Sequence, residues 1–325
     1  APAIIKWKKM KKINWGILGS AKIARQHVIP AIKKSKNSRL YAIASRDEKK
    51  SKIISNKFNF KVSYDSYRKL LKDKNVDVVY NPLPNHLHLQ TSIEACKNKK
   101  HVLIEKPITL KSAEVDKLIQ VAKKYKVIVK EAFMVRHHSQ WQWIRDFINK
   151  GQLGEVKAIS TYFSFFNSDP QNIRNIKKFG GGAIYDICCY PVLISRYLLG
   201  IEPKRVIAAS VIDKKFKTDI LSASILDFNG IFSSFTCSTQ ANYSQQVVVL
   251  GSKKTIVVEN PFNPKPYKNS SVMIYKGSSI YRKDNEIKYF RPTDQYSNQI
   301  TKFSNHLLKK TKIDFGLKDA KNNMK

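Results

Sequence analysis

No apolar run in the 325-residue chain approaches the roughly 18 residues that a membrane span needs; the short candidates are broken by Lys, Asn or Asp. Cysteine is scarce. The four, Cys96, Cys188, Cys189 and Cys237, make neither a disulfide ladder nor a C-x-x-C pair, and two adjacent thiols lack the ligands and spacing of a zinc site. No H-x-x-x-H pattern points to a metal, and none is expected. Reduced, structural cysteines in a cytoplasmic protein are the simplest reading. The first twelve residues hold a short apolar stretch and then lysines, without the apolar core and small-residue cleavage site of an export signal. Met10 stands just before the first regular strand and is a candidate natural start, which would leave residues 1–9 as an extension or remnant.

Negative charge is also short. Asp and Glu number 24 against 60 Lys and Arg, a formal net charge of +36. Such an excess suits nucleic acid, anionic surfaces or anionic substrates. The lysines, however, are spread through helix-like segments (Lys33, Lys34, Lys49, Lys50, Lys123 and Lys124 among them) and gathered in no arm. A compositional bias on solvated faces explains them, and specific nucleic-acid binding is not expected. With 42% hydrophobic and 26% charged residues, the chain is globular and long enough for two domains.

The periodicity predicts strands at Ile13–Leu18, 40–44, 76–80, 102–104 and 127–129. Helices fall between them at 22–32, 48–57, 67–71, 86–97 and 112–124. Strands alternating with helices argue for βαβ units, and apolar strands without alternation argue for a parallel sheet covered on both faces. The pattern changes near Phe133. A helix is expected at 141–148, a turn at 151–154, a long strand at Val156–Phe166 and a helix at 184–199. Strands then follow at 206–211, 220–228, Ile231–Ser238 and 245–250, read as four adjacent antiparallel neighbours with Asn229-Gly230 as a two-residue hairpin turn. A second turn at 251–254 leads into 255–258. The expected architecture is an α/β Rossmann domain at 1–132, then an α+β domain at 133–325 built on a large open, mainly antiparallel sheet with helices on one face. The tail after Gly316 is polar and expected to be loose.

The segment Trp15-Gly16-Ile17-Leu18-Gly19-Ser20-Ala21-Lys22-Ile23-Ala24 follows a strand and opens a helix, the place of a dinucleotide fingerprint. Gly19 allows the tight turn, the helix amides of the Ser20–Ala21–Lys22–Ile23 stretch face a pyrophosphate, and Ala24 lets the helix approach the sheet. Ala21 stands where the middle glycine usually is. At the end of the second strand, Ser45-Arg46, with Lys50 one turn on, suits a 2′-phosphate better than the Asp or Glu of NAD sites. Asp47, one residue late, argues the other way.

Three further clusters could carry chemistry. Glu105-Lys106-Pro107 follows a parallel strand at the edge where open sheets place ligands. Asp186 and Tyr190, after Gly180-Gly181-Gly182, are four apart and share a helix face. A carboxylate and a phenol there could bind a polyol and move a proton if a cation such as Lys106 stabilised the phenolate. His86 and His88 follow Pro82-Leu83-Pro84-Asn85 at the same edge and could line a cofactor, or merely hydrogen-bond locally.

Together these residues resemble the glucose-fructose oxidoreductase / inositol dehydrogenase (Gfo/Idh/MocA) family over about residues 12–308. The likeness is to the branch of NADP-dependent xylose dehydrogenases and dihydrodiol dehydrogenases. Glu105-Lys106-Pro107 is its most specific part. Gly180-Gly181-Gly182-Ala183 running to Asp186 and Tyr190-Pro191 supports it, as do Asn81-Pro82-Leu83-Pro84-Asn85 with His88, Ser238-Thr239-Gln240 and Pro261-Phe262-Asn263. The resemblance implies the fold above, with the open sheet packing against a partner subunit in a homodimer or homotetramer. It implies that Lys106 positions the substrate oxygen, Tyr190 is the acid/base and Asp186 binds substrate. Ser45, Arg46 and Lys50 would surround the adenosine phosphate. Tyr64, Pro82, Leu83, Asn85, His88, Glu105 and Arg174 would lie near the cofactor. The implied function is hydride transfer between NADP, with NAD as the other possibility, and a sugar or cyclic polyol. A keto-sugar or nucleotide-sugar reductase, or a non-catalytic NAD(P)-binding regulator, are the alternatives. Cys188 departs from the glycine common in the family between Asp186 and Tyr190.

Overall fold

The structure, a computed structural model, describes residues 11–277, 285–309, 311 and 314–325. Met10 and the residues before it lie outside the described residues.

The first half runs β1 (Ile13–Leu18), α1 (Ile29–Lys34), β2 (Ser38–Ala44), α2 (Glu48–Phe58), β3 (Val62–Tyr64), α3 (Tyr67–Lys72), β4 (Val78–Asn81), α4 (His88–Lys97), β5 (His101–Glu105), α5 (Ser112–Tyr125) and β6 (Val129–Ala132). The strands form a parallel sheet in the order β3-β2-β1-β4-β5-β6. The order reverses between β1 and β4, which opens a crevice at their carboxyl ends. The continuous apolar runs are explained: Ile17, Leu18, Val78, Val79 and Leu103 are all fully buried between two helical layers. The helix read at 22–32 begins with a widened turn at Ala24–Val28 before α1. The last strand lies two residues later than expected. Lys126 closes α5 in the left-handed region at φ 54°, so pairing starts at Val129 and carries Glu131 into the interior. β3 was not legible, being three half-buried residues long.

The second half runs α6 (Ser139–Asn149), β7 (Val156–Phe166), α7 (Cys189–Leu199), β8 (Arg205–Ile212), β9 (Asp219–Phe228), β10 (Ile231–Ser238), β11 (Gln240–Gly251), β12 (Lys254–Val258), β13 (Ser270–Lys276), β14 (Asn285–Phe290), α8 (Gln295–Leu307) and α9 (Leu317–Met324). Its strands are ordered β14-β13-β12-β11-β7-β10-β9-β8. Asn229-Gly230 does make the β9–β10 turn, with both φ positive. The expectation of four adjacent antiparallel strands is corrected. β7 lies between β10 and β11, parallel to the first and antiparallel to the second. Thr239 alone separates β10 from β11, and its carbonyl accepts from Asn167 N–H at 2.8 Å, so the chain passes round the end of β7.

One face of this sheet packs on α6 and α7 through Trp141, Ile144, Leu193, Ile194 and Phe235. The other is open: Ile207 is 70% exposed, and Ile225 and Phe232 on the same face are also exposed. The tail is not loose, a second correction. In α9, Ala320 is buried in the core of the first half, and Lys321 pairs with Asp116 at 2.7 Å. α8 also returns to the first sheet, where Trp15 Nε1 donates to Ser304 Oγ at 3.1 Å. The four cysteines are buried and unbonded. Among the described residues no helix is long and apolar enough to cross a membrane, and no His, Cys, Asp and Glu cluster could hold a metal ion.

Candidate active site

A cavity of about 420 Å³ opens at the switch point, between the carboxyl ends of the first sheet and the turn that precedes α7. Its first wall is the β1–α1 connection. Gly19 turns at φ +82°, and a Cβ there would stand 3.0 Å from Leu83, a place that only glycine fills without strain. Its N–H donates to the Ala44 carbonyl at 2.7 Å, tying the turn to β2. Ala21, Lys22 and Ile23 line the cavity, in a helical first turn whose amides have no acceptor within the helix. With Pro82, Leu83 and Asn85 opposite, this cradle fits a dinucleotide pyrophosphate.

The centre is assembled from both halves. Lys106, just past β5, donates to both the backbone carbonyl and Oδ1 of Asp186, the latter at 2.9 Å. Arg174 Nε donates to Asp186 Oδ2 at 2.5 Å. Burial pushes the Asp186 carboxyl up, but the Arg174 and Lys106 charges and their hydrogen bonds outweigh it and hold it well below the usual carboxylate range. Burial likewise disfavours charge on Lys106, and Asp186 reverses that to leave the ammonium above its ordinary value. A widened helical turn at Ile184–Cys188 sets Asp186 and Tyr190 on the cavity side. Gly182 starts it at φ +114°, where any Cβ would strike the Asp219 carboxylate. That carboxylate accepts from Ile184 N–H at 2.7 Å.

Tyr190 is buried among Phe133, Phe163 and Phe262, with its hydroxyl 3.8 Å from Met134 Sδ. Burial, helped by the neighbouring Cys189, Glu105 and Asp186, raises it well above its ordinary value, so the phenol keeps its proton. Lys106 Nζ faces the ring, 5.1 Å from the centroid, and not the hydroxyl. The expected phenolate–ammonium contact is therefore absent from this arrangement: Lys106 is drawn instead to the full charge of Asp186. Glu105 also lines the cavity and accepts a hydrogen bond from Tyr80; burial raises its carboxyl.

Other expected residues stand elsewhere. His88 is fully buried, its two ring nitrogens 2.8 and 2.7 Å from the Pro107 and Leu83 carbonyls. Burial pushes it down to about 4, against the two carbonyls, which favour the charged ring. It ties two cavity loops together from behind and does not line the cavity. Tyr64 donates its hydroxyl to Asp73 at 2.9 Å and meets Ser45 only through its backbone carbonyl. Ser45, Arg46 and Lys50 do not line this cavity. Arg46 lines a separate hollow of about 360 Å³ with Tyr67 and Arg68. Asp47 is occupied: its carboxylate caps α2 by accepting from Lys50 N–H at 3.1 Å and pairs with Lys50 Nζ at 3.5 Å. His86 stacks on Phe179 at 4.5 Å. Cys188 is absorbed in the core, 4% exposed, and does not narrow the cavity.

The sequence reading missed Gln26, His27, Phe165, Tyr243 and Tyr296, all of which line the cavity. His27 stacks on Tyr296 of α8 at 4.7 Å, a contact with no local signal. It also missed Glu131, which is buried on β6, accepts from Ile108 N–H at 2.8 Å and is pushed up to about 8, chiefly by burial. Asn263, in the stretch already singled out, does reach the cavity.

Residues 13–133 match the family model described as an oxidoreductase family with an NAD-binding Rossmann fold, and residues 141–257 match the Gfo/Idh/MocA C-terminal domain. The chain is 38% identical to an uncharacterized oxidoreductase, ORF334, of Rhizobium meliloti, over 91% of this chain and 89% of that one. It is 30% identical to D-xylose 1-dehydrogenase (NADP(+)) 2 of Haloferax volcanii, over 89% and 87%. Among solved structures, KijD10, a 3-ketoreductase from Actinomadura kijaniata in complex with NADP and TDP-benzene, superposes with a TM-score of 0.90 at 25% identity, covering 97% of this chain and 95% of that one. A fingerprint turn facing a Lys–Asp–Tyr cluster across the crevice of a Rossmann sheet, with both domain models matched, makes this chain a member of the Gfo/Idh/MocA family and an NAD(P)-dependent oxidoreductase.

Proposed function

We propose that the protein transfers hydride between NADP(H) and a sugar or cyclic polyol. The observation that carries this reading is the convergence of Lys106, from the end of β5, and of Asp186 and Tyr190, from the helical segment leading into α7, on the cavity that the fingerprint turn also lines. The choice of NADP rests on the adenosine end. Arg46 stands free of any carboxylate ion pair among the described residues, whereas Asp47 is committed to its cap. A guanidinium suits a 2′-phosphate, and a carboxylate already neutralised by a lysine is a poor ribose ligand. The NADP-bound neighbour and the NADP-using xylose dehydrogenase agree with it.

The bound nicotinamide supplies or accepts the hydride. The chain's own residues hold the oxygen and move the proton. An ammonium has three donors; Lys106 gives two to Asp186 and keeps the third for the substrate oxygen. Arg174 and Lys106 fix the Asp186 carboxylate as an acceptor for a neighbouring hydroxyl. Tyr190, held protonated by burial, gives its proton to the oxygen in the reductive direction and recovers it in the oxidative one.

The same three residues serve a second reading within the same chemistry, a keto-sugar reductase. Relatives named dTDP-3,4-didehydro-2,6-dideoxy-alpha-D-glucose 3-reductase, such as that of Streptomyces violaceoruber at 28% identity, make a nucleotide-linked sugar a rational member of the panel. Retention of all three site residues speaks against a cofactor-binding regulator. The open sheet face, with Ile207 and Phe232 exposed, supports a homodimer or homotetramer covering that face, which sedimentation would test. The halves divide at residues 132 and 133 in this reading, and unbonded buried cysteines suit a cytoplasmic enzyme. The deciding experiment is a fluorescence titration with NADPH and NADH at moderate salt, then free sugars, polyols and nucleotide-linked keto-sugars with the preferred cofactor. Tight NADPH binding and turnover of one substrate class support the reading. Binding of neither cofactor overturns it.

A further inference from the structure

Behind the active site, one carboxylate of the last helix joins the turn that follows β6 to α7. Asp319 of α9 sends Oδ2 to Arg136 Nη2 at 2.6 Å and Oδ1 to Arg196 Nη2 at 2.9 Å. Both arginines are buried. Arg136 follows β6, whose Glu131 accepts from Ile108 N–H and so anchors the loop that carries Lys106. Arg196 lies six residues after Tyr190 on α7. Asn323 adds a second tie to the same helix, donating to the Cys189 carbonyl at 3.2 Å and accepting from Arg196 Nη1 at 3.2 Å. The neighbouring Lys321–Asp116 pair, by contrast, holds α9 to α5 alone.

We infer that Asp319 and Asn323 of α9 are positioning residues for the reaction, fixing the helix that carries Tyr190 against the strand and loop that hold Lys106. A proton donor and an oxygen-holding ammonium must keep their spacing to a fraction of an ångström. They arise 84 positions apart in sequence, one just past β5 and the other on α7. The direct link between them runs through Asp186 at the cavity surface, where substrate enters. Asp319 supplies a second link on the protected side. Arg196 is also gripped by Glu202, which accepts from its Nε and Nη2 at 2.6 and 2.7 Å, whereas Arg136 has no other carboxylate ion pair among the described residues. Asp319 therefore ties a guanidinium that depends on it to one already fixed on α7. The inference rests on the assignment of Lys106 and Tyr190 above.

The test compares substitutions within one helix, in the full-length protein. Asp319→Asn keeps the shape and removes the charge, Asn323→Ala removes only the tie to the Cys189 carbonyl and Arg196, and Lys321→Ala removes the anchor to α5. Turnover is measured with NADP and D-xylose, or with the substrate that the panel identifies. Amide exchange is followed in peptides covering 105–110, 112–125 and 184–192. Asp319→Asn is expected to lower kcat about tenfold, with KM and NADPH affinity within about twofold, because geometry and not binding is lost. It should speed exchange at both 105–110 and 184–192. Asn323→Ala, which leaves both guanidiniums paired and tests the idea should Asp319→Asn fail to fold, should lower kcat about threefold and speed exchange at 184–192. Lys321→Ala should speed exchange in 112–125 and leave kcat as it was. Unchanged exchange at 105–110 and 184–192 in the Asp319 and Asn323 variants would overturn the inference, whatever the substrate. So would equal losses of kcat in all three variants, the mark of a helix that only stabilises. Altered exchange with no loss of turnover in Lys106→Ala would instead overturn the assignment beneath it.

Discussion

The same kind of ion pair occurs at the cavity and at the head of α2, and the two could hardly differ more. Lys106 and Asp186 meet at 2.9 Å from segments 80 residues apart, with side chains 12% and 13% exposed. Lys50 and Asp47 meet at 3.5 Å within one helical turn, with side chains 66% and 46% exposed. In the first pair burial makes an uncompensated charge costly, so each partner fixes the other's protonation and position. In the second, water does most of that work, and the pair is worth little. The catalytic end is thus built by tertiary structure. The proposed adenosine end is built by local chain geometry, chiefly the cap that commits Asp47 to Lys50.

The sharpest break of this contrast is at the catalytic end. Lys106→Ala or Tyr190→Phe should lower kcat by about 10³-fold, with NADPH affinity, read by fluorescence, changed less than about threefold. Near-normal turnover in either would remove the proposed roles. Asp186→Asn should lower both turnover and stability, the latter by about 3 kcal/mol in urea unfolding, because it leaves the Lys106 ammonium, 12% exposed, without its anion. Asp47→Asn should do neither.

Acid separates the ends as well. Burial holds His88 near 4, His137 near 3 and His138 near 4, all below their ordinary value. The unfolded chain therefore takes up protons that the folded one refuses, and stability is lost as pH falls from about 6.5 towards 4. The urea midpoint should drop steeply over that range, with amide exchange rising first around 81–88 and 133–138 and not around 45–50. At the adenosine end, Arg46→Ala should weaken NADPH about tenfold and leave NADH unchanged, and raised salt should imitate it. Lys50→Ala should change either affinity by less than about twofold.

Much of this was legible because it is local. Gly19 before a helix, Glu105-Lys106-Pro107 after a strand, and Gly182 leading to Asp186 and Tyr190 are short motifs whose geometry is set by neighbours in the chain. What escaped depends on partners far away. Tyr296 reaches the cavity only because α8 docks on the first sheet, and no pattern around residue 296 announces that. His88 looked like a cofactor residue because its place beside the proline turn is right, but both its nitrogens are taken by backbone carbonyls. The polar tail looked loose because its lysine and aspartate find partners on α5, on α7 and in the turn after β6 that no local window contains.

The place of β7 has a consequence for how the chain reaches this state. Strands β8 to β10 and β11 to β14 are each a meander that neighbours in sequence can zip locally. The seam between them cannot zip, because its centre is a strand synthesised some seventy positions earlier. Loop closure over that distance must precede the contacts that reward it. Two quickly formed ribbons waiting on one early strand make insertion of β7 the slow event of folding. Until it happens, the facing edges of β10 and β11 are bare templates on which another unfolded copy can pair.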